Sequence, residues 1–304
     1  MIHRYQYRDI VWIDLESPTE AEVKALIEQF HLNPLVGKEL HTPTPKPRVE
    51  LYQDFIYLIL HFPAFRHSHS KGVQQEIDFI IGHKFIITTH YDMIDPLHDF
   101  SKVFEVNSIL DKGHMGDHAG FIFYYMIAHL YKALSHELDS ISTSLKIIED
   151  GVFKGKEREM VLSLSNVSRT LLEFKQSMDL HHDVLKTYDQ VGKRFYGEGY
   201  AYSTSMILSE HFKVHNAVRS KIELMKELRE TNNALLSTKQ NETMKILTVV
   251  AFIALPLTLV ISLFQVDNIS RPIVGQENDF WIMLVVLVSI AIVMYAYSKF
   301  RKWL

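Results

Sequence analysis

The chain has 304 residues, of which 22% are charged and 47% are hydrophobic, and its formal net charge is -4. A negative net charge without a basic, aromatic-interleaved patch argues against a nucleic-acid partner. The absence of cysteine excludes disulfides and thiolate metal sites, and it is typical of proteins in a reducing compartment.

The N-terminal part, residues 1–115, is predicted to be an α/β domain. DIVWIDLESPTEAEVKALIEQF predicts a short strand and then a helix, with Ser17 as the N-cap and Glu20 completing a capping box. A short helix follows at NPLVGKEL, and the proline cluster HTPTPKPR is predicted to be a loop. VELYQDFIYLILHF and EIDFIIGHKFIITTH are rich in β-forming residues, and Gly82-His83 in the second predicts a hairpin turn.

The next region, residues 116–200, is predicted to be helical and to lie in the cytosol with the α/β domain. GDHAG breaks the chain before a helical run over about 121–153, and two glycines separate this run from another over about 157–191.

A long stalk helix is predicted to begin near Tyr202, because no glycine or proline occurs between that residue and Pro256. At 1.5 Å per residue it would be about 90 Å long, so it needs packing partners. Its cytosolic part repeats at steps of about 3.5 residues, the spacing of a parallel helix bundle, at Val218, Ile222, Met225, Asn232 and Leu235. Packing on other helices of its own domain is the alternative.

Two runs near the C-terminus, 246–264 and 280–298, contain no charged residue. A bilayer core of ~30 Å needs about 20 such residues in a helix, so both runs predict transmembrane helices. Buried core helices are the alternative, which fits two adjacent runs at the end of a mostly polar chain less well. The stalk and first span then occupy 201–264, a loop occupies 265–279, and a basic tail follows at 299–304.

The charges around the spans predict that both chain ends are cytoplasmic, in a multi-pass protein of the inner (plasma) membrane. The N-terminus lacks the apolar stretch and cleavage site of a signal peptide, so the first ~240 residues are expected to stay in the cytosol. Lys245 precedes the first span, and Lys299, Arg301 and Lys302 follow the second. The loop 265–279 has one arginine against three acids, as expected of an extracytoplasmic loop.

A stripe that gathers the polar residues of the first span continues along it in alternating steps of three and four. Its members are Asn241, Met244, Thr248, Ala251, Leu255, Thr258, Ser262 and Gln265. Polar groups in spanning helices usually face a bundle interior or a water-filled path, so the stripe predicts the wall of a pore. Polar packing of one helix on another is the alternative. Pro256 removes one backbone bond in mid-span, which neighbouring helices or water can compensate.

Four segments resemble the CorA family of divalent-cation transport proteins: LNPLVGKELHTPTPKPRVELYQDFIYLILHFP, FIITTHYDMIDPL, NETMKILTVVAFIALPLTLVISLF and the closing KFRKWL. The likeness extends nearly from end to end, and Asn-x-x-Met-Lys-x-Leu-Thr followed by Pro-Leu-Thr is its most specific part. It implies an α+β membrane protein that assembles as a homopentameric channel in the lipid bilayer. It also implies a cytosolic α/β funnel, a pore-lining first span continuous with the stalk, and an outer second span.

The resemblance also assigns the substrate and the pore residues. It implies Mg²⁺ as the cargo, with Co²⁺, Ni²⁺ or Zn²⁺ in parts of the family, and no cofactor. It places Asn241, Met244, Leu247, Leu255 and Thr258 at positions that line or gate the pore. Most of these residues already lie on the stripe, whose other members Thr248, Ala251 and Ser262 complete the predicted lining.

The end of the first span departs from the family pattern. Members have Tyr-Gly-Met-Asn or Gly-x-Asn there, whereas FQVDN puts Gln265, Val266 and Asp267 in place of Gly, Met and Asn. A ring of Asp267 carboxylates could bind cations at the pore entrance with the Gln265 amide below it, or Asn268 could replace the asparagine after a one-residue shift. Ordinary polar capping at the water boundary is the alternative. The family's selectivity does not carry over.

Histidine is abundant, with 17 residues in the chain. Imidazole is a frequent ligand of transition metals, and three pairs are candidates for such a site: His67 with His69, His114 with His118, and His181 with His182. None has the accompanying carboxylates or cysteine of a metal motif, so surface histidines are the favoured interpretation.

No enzyme signature occurs, because the sequence has no Gly-rich phosphate loop, no GxSxG and no HExxH. Three functions remain: a divalent-cation channel driven by the membrane potential, a weakly selective or tension-responsive pore, and a membrane-anchored sensing or binding assembly. The polar stripe argues against the third function, and the missing Gly-Met-Asn argues against the narrowest form of the first. We adopt the divalent-cation channel, with Mg²⁺ as the first candidate.

Overall fold

The structure, a computed structural model, describes residues 2–64, 74–110, 116–265 and 278–301. The chain divides into two compact units, residues 1–229 and residues 230–304.

The first unit contains a mixed sheet of six strands. These are β1 (Ile2–Tyr7), β2 (Ile10–Glu16), β3 (Arg48–Leu51), β4 (Phe55–Phe62), β5 (Gln75–Gly82) and β6 (Phe85–His90). Their order across the sheet is β1-β2-β6-β5-β4-β3. β2 and β6 run parallel, and the other neighbouring pairs are antiparallel.

Helices cover both faces of this sheet, which explains why its central strands are buried on both sides. All eight residues of β4 and of β5 are buried. On one face, α1 (Glu20–Phe30) and α2 (Pro34–Glu39) share a core cluster with β2, β4, β5 and β6. On the other face, α3 (Asp95–Leu110) packs Phe100 against Trp12, with ring centroids 5.5 Å apart.

The N-terminus of α1 differs from its prediction. Thr19 is the N-cap, and its backbone N–H donates to the Glu22 carboxylate at 2.8 Å while its hydroxyl accepts from the Glu22 N–H. The predicted capping box of Ser17 and Glu20 is therefore wrong. The backbone N–H of Ser17 donates to the carbonyl of His90 at 2.8 Å, so this residue extends the pairing with the end of β6 rather than starting the helix.

Other local predictions for the α/β region are confirmed. The short helix α2 begins at Pro34 after the N-cap Asn33, whose side chain accepts from the N–H of Leu35 at 2.9 Å. β5 and β6 form the predicted hairpin, although Gly82 is the last residue of β5 and the connection is the two-residue segment 83–84. β1 was not predicted from the sequence; it pairs with β2 at one edge of the sheet.

Three long helices follow, and the predicted runs are confirmed. They are α4 (Ala119–Phe153), α5 (Glu157–Tyr196) and, after a 3₁₀ turn at Glu198–Tyr200, α6 (Ala201–Gln265). α5 ends at Tyr196, beyond the predicted end near residue 191. The Tyr196 hydroxyl donates to the carbonyl of Gly82 at 2.7 Å, so a tertiary contact holds the last turn.

The second unit comprises the C-terminal part of α6 and the helix α7 (Asp279–Phe300). The two helices contact each other through one face of each. The rings of Phe252 and Tyr297 stack with centroids 6.2 Å apart, Val249 is 4% exposed, and Ser298 is fully buried. The predicted pair of C-terminal apolar helices is thus confirmed.

Candidate functional site

Two described helical stretches, Glu198–Leu263 and Phe280–Phe300, are long and apolar enough to cross a membrane. Only 6% and 0% of their most apolar windows are buried in the single chain. The core helix of a water-soluble protein would bury such a surface, because exposed apolar area in water is unfavourable. The exposure therefore favours contact with lipid or with further copies of the chain.

The span of α6 has two distinct faces. One face packs on α7, and its residues Val249, Phe252, Ile253, Pro256, Leu257 and Val260 are buried or half-buried. The predicted pore-lining residues all lie on exposed positions: Asn241, Met244, Leu247, Thr248, Ala251, Leu255, Thr258, Ser262 and also Gln265. The stripe is thus not the surface that joins the two spans of one chain, which removes the intrachain form of the helix-packing alternative.

Exposure alone does not distinguish the stripe, because the neighbouring Leu259 and Leu263 are also exposed, at 63% and 66%. Composition does. The hydroxyls of the span, Thr248, Thr258 and Ser262, all belong to the stripe, while the remaining exposed positions of the span are apolar. An apolar strip suits lipid tails, and a strip with hydroxyls suits water or another polar surface.

The hydroxyls of the stripe have a common geometry. Thr248 Oγ1 donates to the carbonyl of Met244 at 2.7 Å, Thr258 Oγ1 donates to that of Ala254 at 2.8 Å, and Ser262 Oγ donates to that of Thr258 at 2.9 Å. Each hydroxyl thus uses its one proton on its own helix, while its oxygen keeps acceptor capacity. The stripe consequently offers oxygen acceptors, which suit a cation or the water bound to one.

An open depression of about 650 Å³ lies at the N-terminal end of the stripe. Its described lining residues are Thr238, Asn241, Glu242, Met244, Lys245, Thr248 and Val249. The lining therefore includes an amide, hydroxyls and one carboxylate, together with the ammonium group of Lys245. Of these groups, Asn241, Met244 and Thr248 belong to the predicted pore lining.

The predicted pore entrance is described only in part. Gln265 is the last residue of α6 and is exposed. Val266, Asp267 and Asn268 lie outside the described residues, so the assignment of Asp267 as a metal ligand and of all three to the entrance remains a prediction.

The candidate histidine pairs do not form a metal site in the described part of the chain. His67, His69 and His114 lie outside the described residues. The ring of His118 is half-buried and stacks on Tyr196 with centroids 4.0 Å apart. Within residues 2–64, 74–110, 116–265 and 278–301, no three His, Asp or Glu side chains are grouped so that they could hold a metal ion.

The interpretation of all these histidines as surface residues is wrong for His181. Its ring is fully buried, with Nδ1 2.9 Å from the hydroxyl of Tyr131 and Nε2 3.0 Å from the carbonyl of His61. Burial lowers the pKa of His181 to about 3, and the nearby His211 acts in the same direction. The ring is a neutral element of the core where α4, α5 and β4 meet.

A buried polar network on the sheet was not predicted. The carboxylate of Glu76 accepts from the backbone N–H of Thr44 at 2.7 Å and lies 3.0 Å from Nε2 of His61. The hydroxyl of Tyr57 is 3.4 Å from Asp78 Oδ2. Burial and the neighbouring Glu76 hold the pKa of Asp78 well above its usual value. A cavity of about 310 Å³ borders this network at Glu76 and His61.

The sequence contains a signal for this network. In Gln75–Gly82, the acids of EID stand two residues apart, and side chains alternate between the faces of a strand. Glu76 and Asp78 therefore lie on one face of an otherwise apolar strand. Two carboxyls on one face of a fully buried strand require polar partners, because an isolated buried charge is costly.

The fold and the stripe together define a class: a membrane protein with a large N-terminal α/β and helical part and two C-terminal spans. The sequence model described as "CorA-like Mg2+ transporter protein" matches residues 7–302. The chain therefore belongs to the CorA family, whose members are metal-ion transport proteins and not enzymes.

Individual relatives are similar in sequence over nearly the whole chain. The cobalt/magnesium transport protein CorA of Thermotoga maritima is 22% identical over 96% of this chain and 83% of its own length. The protein of the same name from Methanocaldococcus jannaschii is 21% identical, over 97% and 92%.

Solved structures agree in fold. The complete CorA magnesium transporter from Methanocaldococcus jannaschii matches with a TM-score of 0.83 at 18% identity, covering 99% of this chain and 93% of that one. The full-length CmaX protein matches with a TM-score of 0.73 at 15% identity, covering 97% and 88%. The α/β region, the long helix and the two C-terminal apolar helices thus form a known arrangement.

Proposed function

We propose that the chain assembles as a homopentamer and conducts divalent cations, with Mg²⁺ as the first candidate, through a pore lined by the polar stripe of α6. The observation that carries this proposal is the division of the first span into two faces. One face packs on α7, and the other exposes every described residue of the stripe.

Assembly follows from the cost of polar groups in lipid. Hydroxyl and amide groups are unfavourable against acyl chains, and in spanning helices they usually face a bundle interior or water. The second span of the same chain does not cover the stripe, so further copies of α6 are its natural neighbours. The number of five copies rests on the family resemblance.

The chemistry of the stripe supports a cation as cargo. Its hydroxyl oxygens accept, because their protons are donated to the helix. Mg²⁺ loses its bound water reluctantly, so a path that accepts hydrogen bonds from that water suits the hydrated ion. The membrane potential supplies ~2.3 kcal/mol per charge per 100 mV, which is enough to drive a divalent ion without chemical coupling.

The proposal also covers the orientation of the chain in the membrane and the entrance of the pore. The basic residues that flank the spans favour cytoplasmic chain ends, with the loop 265–279 outside. A ring of Asp267 carboxylates at the mouth would concentrate cations, with Gln265 next to it.

A weakly selective pore is the second candidate function, favoured by FQVDN in place of the family's Gly-Met-Asn.

The test is ion flux into proteoliposomes under an imposed potential, with Mg²⁺, Co²⁺, Zn²⁺ and Na⁺ compared. Thr258→Val removes a stripe hydroxyl with little change of shape. Ser289→Ala is the matched control, because Ser289 Oγ makes the same bond, 2.7 Å to the carbonyl of Val285, but lies on α7.

We expect Thr258→Val to reduce divalent flux about fivefold, the equivalent of one hydrogen bond of about 1 kcal/mol, and Ser289→Ala to leave it unchanged. Equal flux in both variants would contradict the placement of the stripe in the pore. Comparable flux of Na⁺ and the divalent ions would favour the weakly selective pore.

A further inference from the structure

Four histidines meet where α5 and α6 pack in the first unit, and the proposed pore does not use them. They are His181 and His182 of α5 and His211 and His215 of α6, here called the histidine cluster. The ring centroid of His211 lies 5.7 Å from that of His215, 5.8 Å from that of His182 and 6.5 Å from that of His181. This spacing brings four titratable rings together at one helix contact.

His211 is at the centre of the cluster, and only 2% of it is exposed. Its Nε2 lies 2.8 Å from the carbonyl of Met178 on α5. A carbonyl only accepts, so Nε2 carries the proton that joins α6 to α5, and a neutral ring has none on Nδ1. Burial lowers the pKa of His211, and the nearby His215 and His182 act in the same direction.

His181 extends this contact to α4 and to the sheet. Its Nε2 donates to the carbonyl of His61 at 3.0 Å, so Nδ1 accepts from the hydroxyl of Tyr131 at 2.9 Å. Both ring nitrogens are satisfied in the neutral form. A second proton, on Nδ1, would meet the Tyr131 O–H and break the existing bond unless that hydroxyl turned.

Few negative charges compensate the cluster. Asp179 of α5 lies 3.1 Å from Nε2 of His215, and it also pairs with Lys175. The ring of Tyr131 on α4 lies 6.0 Å from the rings of both His181 and His211, and its hydroxyl bonds to His181. On β4, the side chain of His61 pairs with Glu76, which is engaged there and in bonds to Thr44. One shared carboxylate thus faces several imidazoles.

We propose that the histidine cluster is a proton-responsive contact that holds α5 against α6 at neutral pH and loosens when the surrounding compartment acidifies. Added protons place like charges within the short ring distances given above. They also break the neutral bond of His181 to Tyr131. Burial of His181 and His211 favours their neutral rings in the packed state, so protons on these two rings favour the opened state. This inference does not depend on the transport activity.

The test is hydrogen exchange by mass spectrometry on the full-length chain in lipid nanodiscs, without added metal, at pH 7.5 and pH 5.5. Exchange is expressed as protection relative to the intrinsic rate at the same pH. Peptides around residues 175–185 and 207–217 report on the contact, and those of α1 serve as the reference. The variants are the double replacement His181→Gln with His211→Gln, and His136→Gln as a control at an exposed position of α4.

We expect acidification to lower protection at the contact about tenfold for each linked imidazole, because the free pKa of ~6.5 lies one unit above pH 5.5. The reference peptides and the His136→Gln variant should behave as in the unmodified chain. The double variant should lose most of the pH response, since glutamine can still donate to the carbonyl of Met178 but does not titrate.

Unchanged protection of the unmodified chain at pH 5.5 would overturn the proposal, as would an equal loss of protection in the double variant. If the double variant does not fold, His211→Gln alone removes one linked imidazole and should reduce the response about tenfold. A full response in that variant would also count against the proposal.

Discussion

The ring of His61 and the carboxylate of Glu76 form a buried pair, with Nε2 3.0 Å from Oε2 and side chains that are 9% and 4% exposed. The two residues are paired across β4 and β5, so the register of the sheet places them side by side. The same carboxylate accepts from the N–H and the hydroxyl of Thr44. This carboxylate therefore links the proline-rich loop to the centre of the sheet.

Replacing Glu76 with glutamine should destabilise the first unit. Hydrogen bonds to a buried charged group contribute about 1.5–3 kcal/mol, and glutamine offers only one acceptor oxygen to Thr44 and His61. We expect the free energy of unfolding to fall by about 2 kcal/mol, measured by denaturant unfolding of the full chain in detergent. Glu28→Gln, at an exposed position of α1, should leave it unchanged, and an equal effect of both would contradict the role of the pair.

Asp78→Asn should be tolerated, because burial and Glu76 raise the pKa of Asp78 well above its usual value and favour its neutral carboxyl in the folded protein. Above the ordinary aspartate pKa of ~3.9, the unfolded chain loses a proton that the folded chain keeps, so this carboxyl lowers stability as pH rises.

The free energy of unfolding, measured at several values between pH 5 and pH 8, should therefore fall less steeply with rising pH in Asp78→Asn than in the unmodified chain. The variant should remain within about 1 kcal/mol of it at pH 5. A loss of several kcal/mol at pH 5 would show that Asp78 is charged in the folded state.

Thr19→Ala should weaken α1. The hydroxyl of Thr19 caps the helix by accepting from the N–H of Glu22, and loss of an N-cap typically costs about 1 kcal/mol. Glu20→Gln is the matched control, since Glu20 takes no part in the observed capping box. Thermal unfolding of the full chain should separate the two variants, and a larger effect of Glu20→Gln would support the original placement of the cap instead.

Asp267→Ala should lower divalent flux in proteoliposomes more than Na⁺ flux, because a ring of carboxylates attracts an ion in proportion to its charge. Raising the ionic strength should diminish the difference, as salt screens exposed charges. Glu277→Ala removes an acid from the same loop and serves as the control. Equal flux of every ion in Asp267→Ala and the unmodified chain would mean that selectivity resides elsewhere along the stripe.

The sequence by itself determined the membrane-spanning pattern. A run such as 280–298 without a charge, and the recurrence of the polar residues of the first span on one stripe at steps of three and four, are properties of the chain order, so no knowledge of partners is needed to see them. The segments that resemble the CorA family can likewise be seen from the order of residues alone. The long helix α6, which includes the first span, and the helix α7 accordingly agree with their predictions.

Only the tertiary structure decided which residues are hidden and which meet. His181 appears in the sequence as one histidine among 17, yet it is buried because α4 and β4 converge on it and supply Tyr131 and the carbonyl of His61. The packing of α6 on α7 likewise leaves the stripe exposed. Burial and hydrogen bonding depend on pairs of residues far apart in the chain, and helical or strand periodicity encodes only which neighbours share a face.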